Sequence, residues 1–463
     1  MSYVTVLGNG HLLTSWEDPS VVPSGAVAWI GDRIVTIGSE AQVLAAHPDA
    51  RRLDAHGGLI LPGLVNLHHH FYSALARGLD PRIEMRDFPE ILDRLWWRLD
   101  RALDRDTIGL SARLSAAECV RWGCTTVFDH HASPSSIDGS LDLLAAALSE
   151  AGISGILCYE VSDRNGPDGA ARGIEENLRF LADRTEDPRI RAVFGLHASF
   201  TLSDETLASV AERRPPGSGV HIHVAEHPID DVFSRETFGA TPIQRLERFG
   251  MLDDRALLAH AIHVVDADYD LAAAAGATLI HNPESNANNA VGRMDIPRAA
   301  GRGCAIGLGT DGMSSDVLRT VRSAFLGLRG GSGDPTLGFD VLPGLLATNA
   351  RVAGRFLDEP LLGQLAPGAP ADVIAVDSAP PTTIDAENWF GHLAYGASDF
   401  RVRHTVARGR VLLEDFTHAA ADPAALAARA RNLAPALWKR FHELGWNTPY
   451  LGPSAVAGEE SAR

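Results

Sequence analysis

The chain has 463 residues and a formal net charge of −18, from 59 acidic and 41 basic side chains. A surface that negative repels nucleic acid and anionic membranes, so neither is an expected partner. With 45% hydrophobic and 22% charged residues, the composition excludes a disordered chain and suits one large domain plus a smaller one.

Cys119, Cys124, Cys158 and Cys304 are scattered and form no CxxC pair. That argues against a disulfide framework or a zinc ribbon. No apolar run approaches the ~20 residues of a membrane span, and MSYVTVLGNGHLL has no basic, apolar leader pattern. A cytoplasmic location is expected.

The first predicted elements are short β runs broken by turn signals: YVTVLGNGHLLT, AVAWIGDRIVTIGS and RRLDAHGGLILPG. A similar texture returns late, in GAPADVIAVDS and FRVRHTVARGRVLLED. Residues 1–60 and 364–463 are therefore expected to join in one small β-sandwich, with a C-terminal helix from about residue 423 and a frayed tail over 452–463. Between them, 61–363 alternates strand and helix. Candidate strands are LILPGLVNLH, CTTVFDHH, ISGILCYEV, IRAVFGLHA, GVHIHVAE, ALLAHAIHV, ATLIHNPES and CAIGLGTDG. Most are continuous apolar runs, as for parallel strands buried on both faces. Amphipathic segments such as GSLDLLAAALSEAG separate them. The expected fold class is α/β, a (β/α)8 barrel, whose site lies at the C-terminal strand ends.

Ligand-type residues stand at those ends. Side chains at i and i+2 of a strand share a side, so His68 and His70 can face one ion while His69 turns away. His221 and His223 are related in the same way; His223, nearer the strand end, is the candidate ligand. Glu226 suits a proton shuttle beside activated water, against the plainer reading of a surface charge. Asp311 follows an apolar strand and needs a partner if buried, such as a metal. His260 competes with His263, and its case rests on its company. Tyr72, Trp96 and Trp97 are candidates for a flat pocket wall, against helix packing. His130, His131 and Glu160 end strands two and three, as substrate readers or as structural groups. Asn286 is a candidate for the ring edge of a substrate, or simply loop chemistry.

These motifs resemble the mononuclear deaminase branch of the amidohydrolase superfamily. Pro62-Gly63 precedes His68 and His70; His221, His223 and Glu226 match HxHxxE; His260 and His263 match AHxxH; Gly309–Gly312 matches GTDG; His281–Asn286 resembles HxPxSN. GQLAPGAPADVIAVD is similar to the family's returning β segment. No lysine suggests the carbamylated ligand of the binuclear branch. Within the branch, NLHHHFYSALARG, TTVFDHHASP, CYEVSDR and HNPESNANNAVG resemble SsnA-type aminohydrolases. The guanine deaminase and triazine chlorohydrolase relatives are more distant.

The resemblance implies one divalent ion per chain on His68, His70, His223 and Asp311, zinc first, with iron or manganese compatible. It implies water activated by that ion, proton transfer by Asp311, His260 and Glu226, and substrate contact by His197. It implies ammonia release from a purine-, pterin- or pyrimidine-like ring, and a homo-oligomer. Competing readings are opening of a cyclic amide or carbon–halogen hydrolysis at the same site, and an inert barrel that only binds.

Overall fold

A computed structural model describes residues 4–182, 187–396 and 400–446. Eight strands carry the barrel: β1 (Leu64–His69), β2 (Cys124–His131), β3 (Ser154–Tyr159), β4 (Phe194–Ala198), β5 (Val220–Val224), β6 (Leu257–His260), β7 (Thr278–His281) and β8 (Ala305–Leu308). β1 to β3 pair in parallel, as do β4 to β8. A short strand, Ile190–Ala192, pairs with β3 just before β4 begins. Two isolated parallel bridges join these groups, Val161 with Leu196 and His69 with Asp311. The ring is therefore closed, and buried helices such as Arg105–Arg121 and Pro343–Leu357 cover it.

The run LILPGLVNLH, expected as one strand, is two. Leu59–Pro62 belongs to the terminal sheet and Leu64–His69 opens the barrel. Gly63 is the hinge. A Cβ there would stand 2.4 Å from the Thr125 hydroxyl, so only glycine lets the chain pass this close to β2.

Strands from both chain ends share one nine-stranded sheet. Val373–Val376 lies antiparallel to Leu59–Pro62, which in turn pairs in parallel with Thr5–Leu13. Leu7, Val27, Trp29, Ile60, Val373 and Val406 pack in its core. The C-terminal helix Pro423–Glu443 leaves this sheet and braces the barrel. Trp438 Nε1 donates to the Leu75 carbonyl at 2.9 Å, and Arg440 Nε to that of Ala102 at 2.8 Å. The tail expected to fray lies outside the described residues.

The β8–β1 seam is held by side chains as much as by backbone. Asn349 Nδ2 donates to the carbonyls of Val65 (2.7 Å) and Leu308 (2.8 Å), while its Oδ1 accepts from Leu308 N–H at 2.7 Å. Asn66 Nδ2 donates to the Thr310 hydroxyl at 2.7 Å, next to Asp311. Asn349→Leu strands three buried backbone groups, so it is expected to cost about 2–4 kcal/mol. A fall in the urea midpoint at unchanged slope measures it.

Candidate active site

The strand ends deliver four histidines and two carboxyl groups to one place. β1 supplies His68 and, one residue past its end, His70; β5 supplies His223 and β6 supplies His260. The backbone is bent to present them. His260 has φ +73°, and Asp311, just after β8, has φ +55°. Non-glycine residues at positive φ cost about 1 kcal/mol or more and cluster where function demands a particular aim.

Each imidazole is tied by its outer nitrogen. His70 Nδ1 donates to the His130 carbonyl at 2.6 Å, and His223 Nδ1 to the His197 carbonyl at 2.9 Å. His260 Nδ1 donates to Asn286 Oδ1 at 2.8 Å, and His68 Nδ1 meets His221 Nε2 at 2.9 Å. A ring whose Nδ1 carries the proton has a bare Nε2. Yet His70 Nε2 and His223 Nε2 face each other at 3.2 Å. Nε2 of His68 and of His260 are buried and meet no hydrogen-bond partner among the described residues. Lone pairs so arranged repel unless a cation sits among them.

The electrostatics agree. Burial, reinforced by neighbouring imidazoles, holds His68 and His223 well below the usual histidine range. Burial lowers His70 too, against the pull of Asp311. Burial alone would raise the Asp311 carboxyl, but facing imidazoles hold it below the ordinary value. Its Oδ1 lies 3.4 Å from His70 Nε2 and its Oδ2 lies 3.5 Å from His260 Nε2. Neutral imidazoles beside an ionised carboxylate are a donor set for a borderline-soft divalent ion. The potential ligand atoms of His68, His70, His130 and His223 lie within 4.8 Å of one another, as do those of His68, His260 and Asp311. His130 enters this cluster although the sequence had left its role open. Its Nε2 is bonded to the His221 carbonyl at 3.1 Å, and its Nδ1 points to Glu160, 3.5 Å away.

A cavity opens above the cluster, and His70, His223 and Asp311 are in its floor. Glu226 overhangs it, 3.4 Å from His260 Nε2, accepting from Asn289 Nδ2 at 3.2 Å. Burial pushes its carboxyl up to about 7, with His260 opposing and Asp311 reinforcing. Tyr72, Trp96, Trp97, Glu160 and His197 also line the cavity. Both tryptophans, for which helix packing was an alternative, therefore reach it. Burial raises Glu160 to about 8 although Arg164 pulls it down.

Asn286 is a correction. Expected at the substrate's ring edge, it is fully buried behind His260 and does not line the cavity. Its carbonyl oxygen is spent orienting the His260 ring. Asn288 and Asn289, missed in the sequence, stand at the wall instead. Within NPESNANN the helical phase alone decides which asparagines face in, and the helix Pro283–Asn288 is too short to announce itself. His69, His221 and His263 stand behind the site: His69 Nε2 bonds Ser315 Oγ at 3.0 Å and His263 Nε2 bonds the Val291 carbonyl at 2.7 Å.

Asn286→Ala frees the His260 ring without touching the floor of the cavity. It is expected to leave metal content unchanged and to lower turnover about 10–100-fold, as losses behind a metal site do. Metal analysis alongside steady-state rates checks both halves.

The comparisons with known proteins agree on the family and the fold. The model of the amidohydrolase family matches residues 59–412. A 5-methylthioadenosine/S-adenosylhomocysteine deaminase of Nitratidesulfovibrio vulgaris is 32% identical over 423 residues, covering 89% of this chain and 93% of its own. An adenosine deaminase structure from Xanthomonas campestris, with bound zinc, superposes at TM-score 0.81 and 22% identity, covering 95% of this chain and 99% of that one. A triazine hydrolase structure from Arthrobacter aurescens gives TM-score 0.78 at 23% identity, with 94% and 100% covered. At such identities the structures speak for the fold. Family model, relative and site together lead to one conclusion: the chain belongs to the amidohydrolase family.

Proposed function

We propose that this protein is a metal-dependent aminohydrolase that releases ammonia from a purine-, pterin- or pyrimidine-like ring. The observation that carries the proposal is the pair of bare imidazole nitrogens of His70 and His223, 3.2 Å apart in the cavity floor. Ionised Asp311 lies beside them and Glu226 overhangs them. His68, His70, His223 and Asp311 would hold one divalent ion, zinc first, with iron or manganese suited to the same donors. When bound, such an ion supplies Lewis acidity and acidifies water.

The chain's own residues handle the protons. Asp311 and His260 receive the proton of the attacking water. Glu226 gives a proton to the ring nitrogen beside the amino-bearing carbon. The water oxygen bonds to that carbon, the carbon–nitrogen bond breaks, the amine departs as ammonia with the water's first proton, and the proton left on the oxygen returns to Glu226 as the carbonyl forms. Ring amine plus water thus become ring carbonyl plus ammonia. The relatives described above support this reading, one being named a deaminase and one structure holding zinc. Halide displacement at the same site is the second reading, favoured by the likeness to a triazine hydrolase.

No helix among the described residues is long and apolar enough to cross a membrane. Four buried free cysteines suit a reducing cytoplasm. A homo-oligomer is part of the same reading, as are residues 61–363 as the catalytic unit and 1–60 with 364–463 as the β-sandwich unit.

Glu226→Gln should retain the metal and lower kcat by about 10²–10⁴-fold, measured as ammonia release from heterocyclic amines. Loss of metal instead would make Glu226 a ligand. Glu226 must be protonated to donate, so kcat/KM should hold on the acid side and fall as pH rises through about 7. Asp311→Asn should abolish turnover; near-normal activity there would show that another group takes the water's proton.

A further inference from the structure

On the cavity wall flanking His223 stands a charged group that the proposed reaction leaves unused. Glu160 follows β3, Asp100 sits on the helix Trp97–Ala102, and both line the cavity. Behind them Arg164 reaches Asp100 Oδ2 at 2.6 Å and Glu160 Oε1 at 3.2 Å. All three side chains are at most 5% exposed. One guanidinium nitrogen thus serves both carboxyl groups. Asp100 Oδ1 is buried without a hydrogen-bond partner among the described residues, and so is Trp97 Nε1. The Trp97 ring lies under the Arg164 guanidinium at 5.4 Å and against His197 at 6.0 Å. Leaving such groups unmet costs about 1–3 kcal/mol each, so a bound molecule gains by meeting them.

Among the side chains that line the cavity, the unmet atoms here are one N–H donor, Trp97 Nε1, and one carboxyl acceptor, Asp100 Oδ1, while the unmet Arg164 Nε and Nη1 lie behind the lining. The complement of that donor and that acceptor is an N–H beside a carbonyl. Distance places that edge on the reacting ring itself. Glu160, His197 and His223 bring potential ligand atoms within 4.8 Å of one another, which puts Glu160 beside the reacting centre rather than at a distant end of the cavity. Glu160 and Glu226 therefore flank one ring from two sides.

We propose that Glu160, Asp100 and Trp97 are specificity residues that select a lactam edge. The carboxyl groups accept the ring N–H, and Trp97 Nε1 donates to the adjoining carbonyl. This rests on the aminohydrolase reading and narrows it to 2-amino-4-oxo rings, in which the amino carbon lies between two ring nitrogens. One nitrogen takes the proton of Glu226, and the other carries the N–H read by Glu160. A 6-amino purine nucleoside offers neither a ring N–H nor a carbonyl there. Arg164 is a positioning residue, fixing both carboxyl groups.

The test uses full-length, zinc-replete protein and two matched pairs, guanine with 1-methylguanine and pterin with 3-methylpterin, with adenosine as a fifth ligand. Binding is read by calorimetry and turnover by ammonia release. In at least one pair the N–H member should bind at least ~100-fold tighter, because a buried polar site rejects an analogue that leaves it unpaired. Trp97→Phe should weaken that binding about tenfold, and Glu160→Gln should shrink the gap between pair members. Equal binding within both pairs, a preference for adenosine, or no binding of any ligand overturns the proposal. Selective binding without ammonia keeps the lactam wall and sinks the aminohydrolase reading. Ammonia without selectivity does the reverse.

Discussion

Two unprotonated imidazole nitrogens pressed to 3.2 Å are the constraint around which this molecule is organised. Neither ring can turn away. Each is anchored through Nδ1 to a backbone carbonyl of a neighbouring strand end, His70 to residue 130 and His223 to residue 197. The tautomer is thereby fixed by the barrel backbone rather than chosen by solvent. Burial removes the alternative of protonation, since a charged imidazolium would lack water. What is left is a set of lone pairs waiting for a cation, next to the one carboxylate that the imidazoles keep ionised.

The barrel exists to hold that arrangement. Parallel strands aim their C-terminal ends at one point, and the closure at β8–β1 brings Asp311 to His70. By backbone that seam is joined through an isolated bridge, as is the junction of β3 with β4. Asn66 and Asn349 reinforce the β8–β1 seam with buried amide bonds. Backbone strain is concentrated at the same places, with positive φ at His260 and Asp311. The C-terminal helix contributes from outside, tying down the segment after β1 from which Trp96, Trp97 and Asp100 enter the cavity.

Two of the carboxyl groups that line the cavity, Glu226 and Glu160, differ in company. Glu226 stands beside His260 and Asn289, and burial leaves it titrating near neutrality, as suits a group that must give and take a proton. Glu160 is held in place by Arg164 at 3.2 Å, and burial raises its carboxyl as well. In the proposed reading one carboxyl serves the chemistry and the other the shape of what is admitted.

Much of this was legible in the chain. Continuous apolar runs announced parallel strands, and the i, i+2 parity of His68 and His70, with the order of Glu226, His260 and Asp311 after them, announced the ion site. These depend on local periodicity, which a linear pattern carries. The break at Gly63 was not legible, because the need for glycine comes from Thr125 on a different strand. Nor was the exchange of roles between Asn286 and the pair Asn288 and Asn289, which depends on the phase of a single helical turn. Arg164 could not be found at all from spacing: it matters because Asp100, 64 positions earlier, packs against it. Sequence by itself determined which residue types end which strands. Tertiary structure decided which nitrogens lose their protons, which carboxyl meets which ring and which asparagines face the cavity, because those follow from burial and from partners brought together only when the barrel closes.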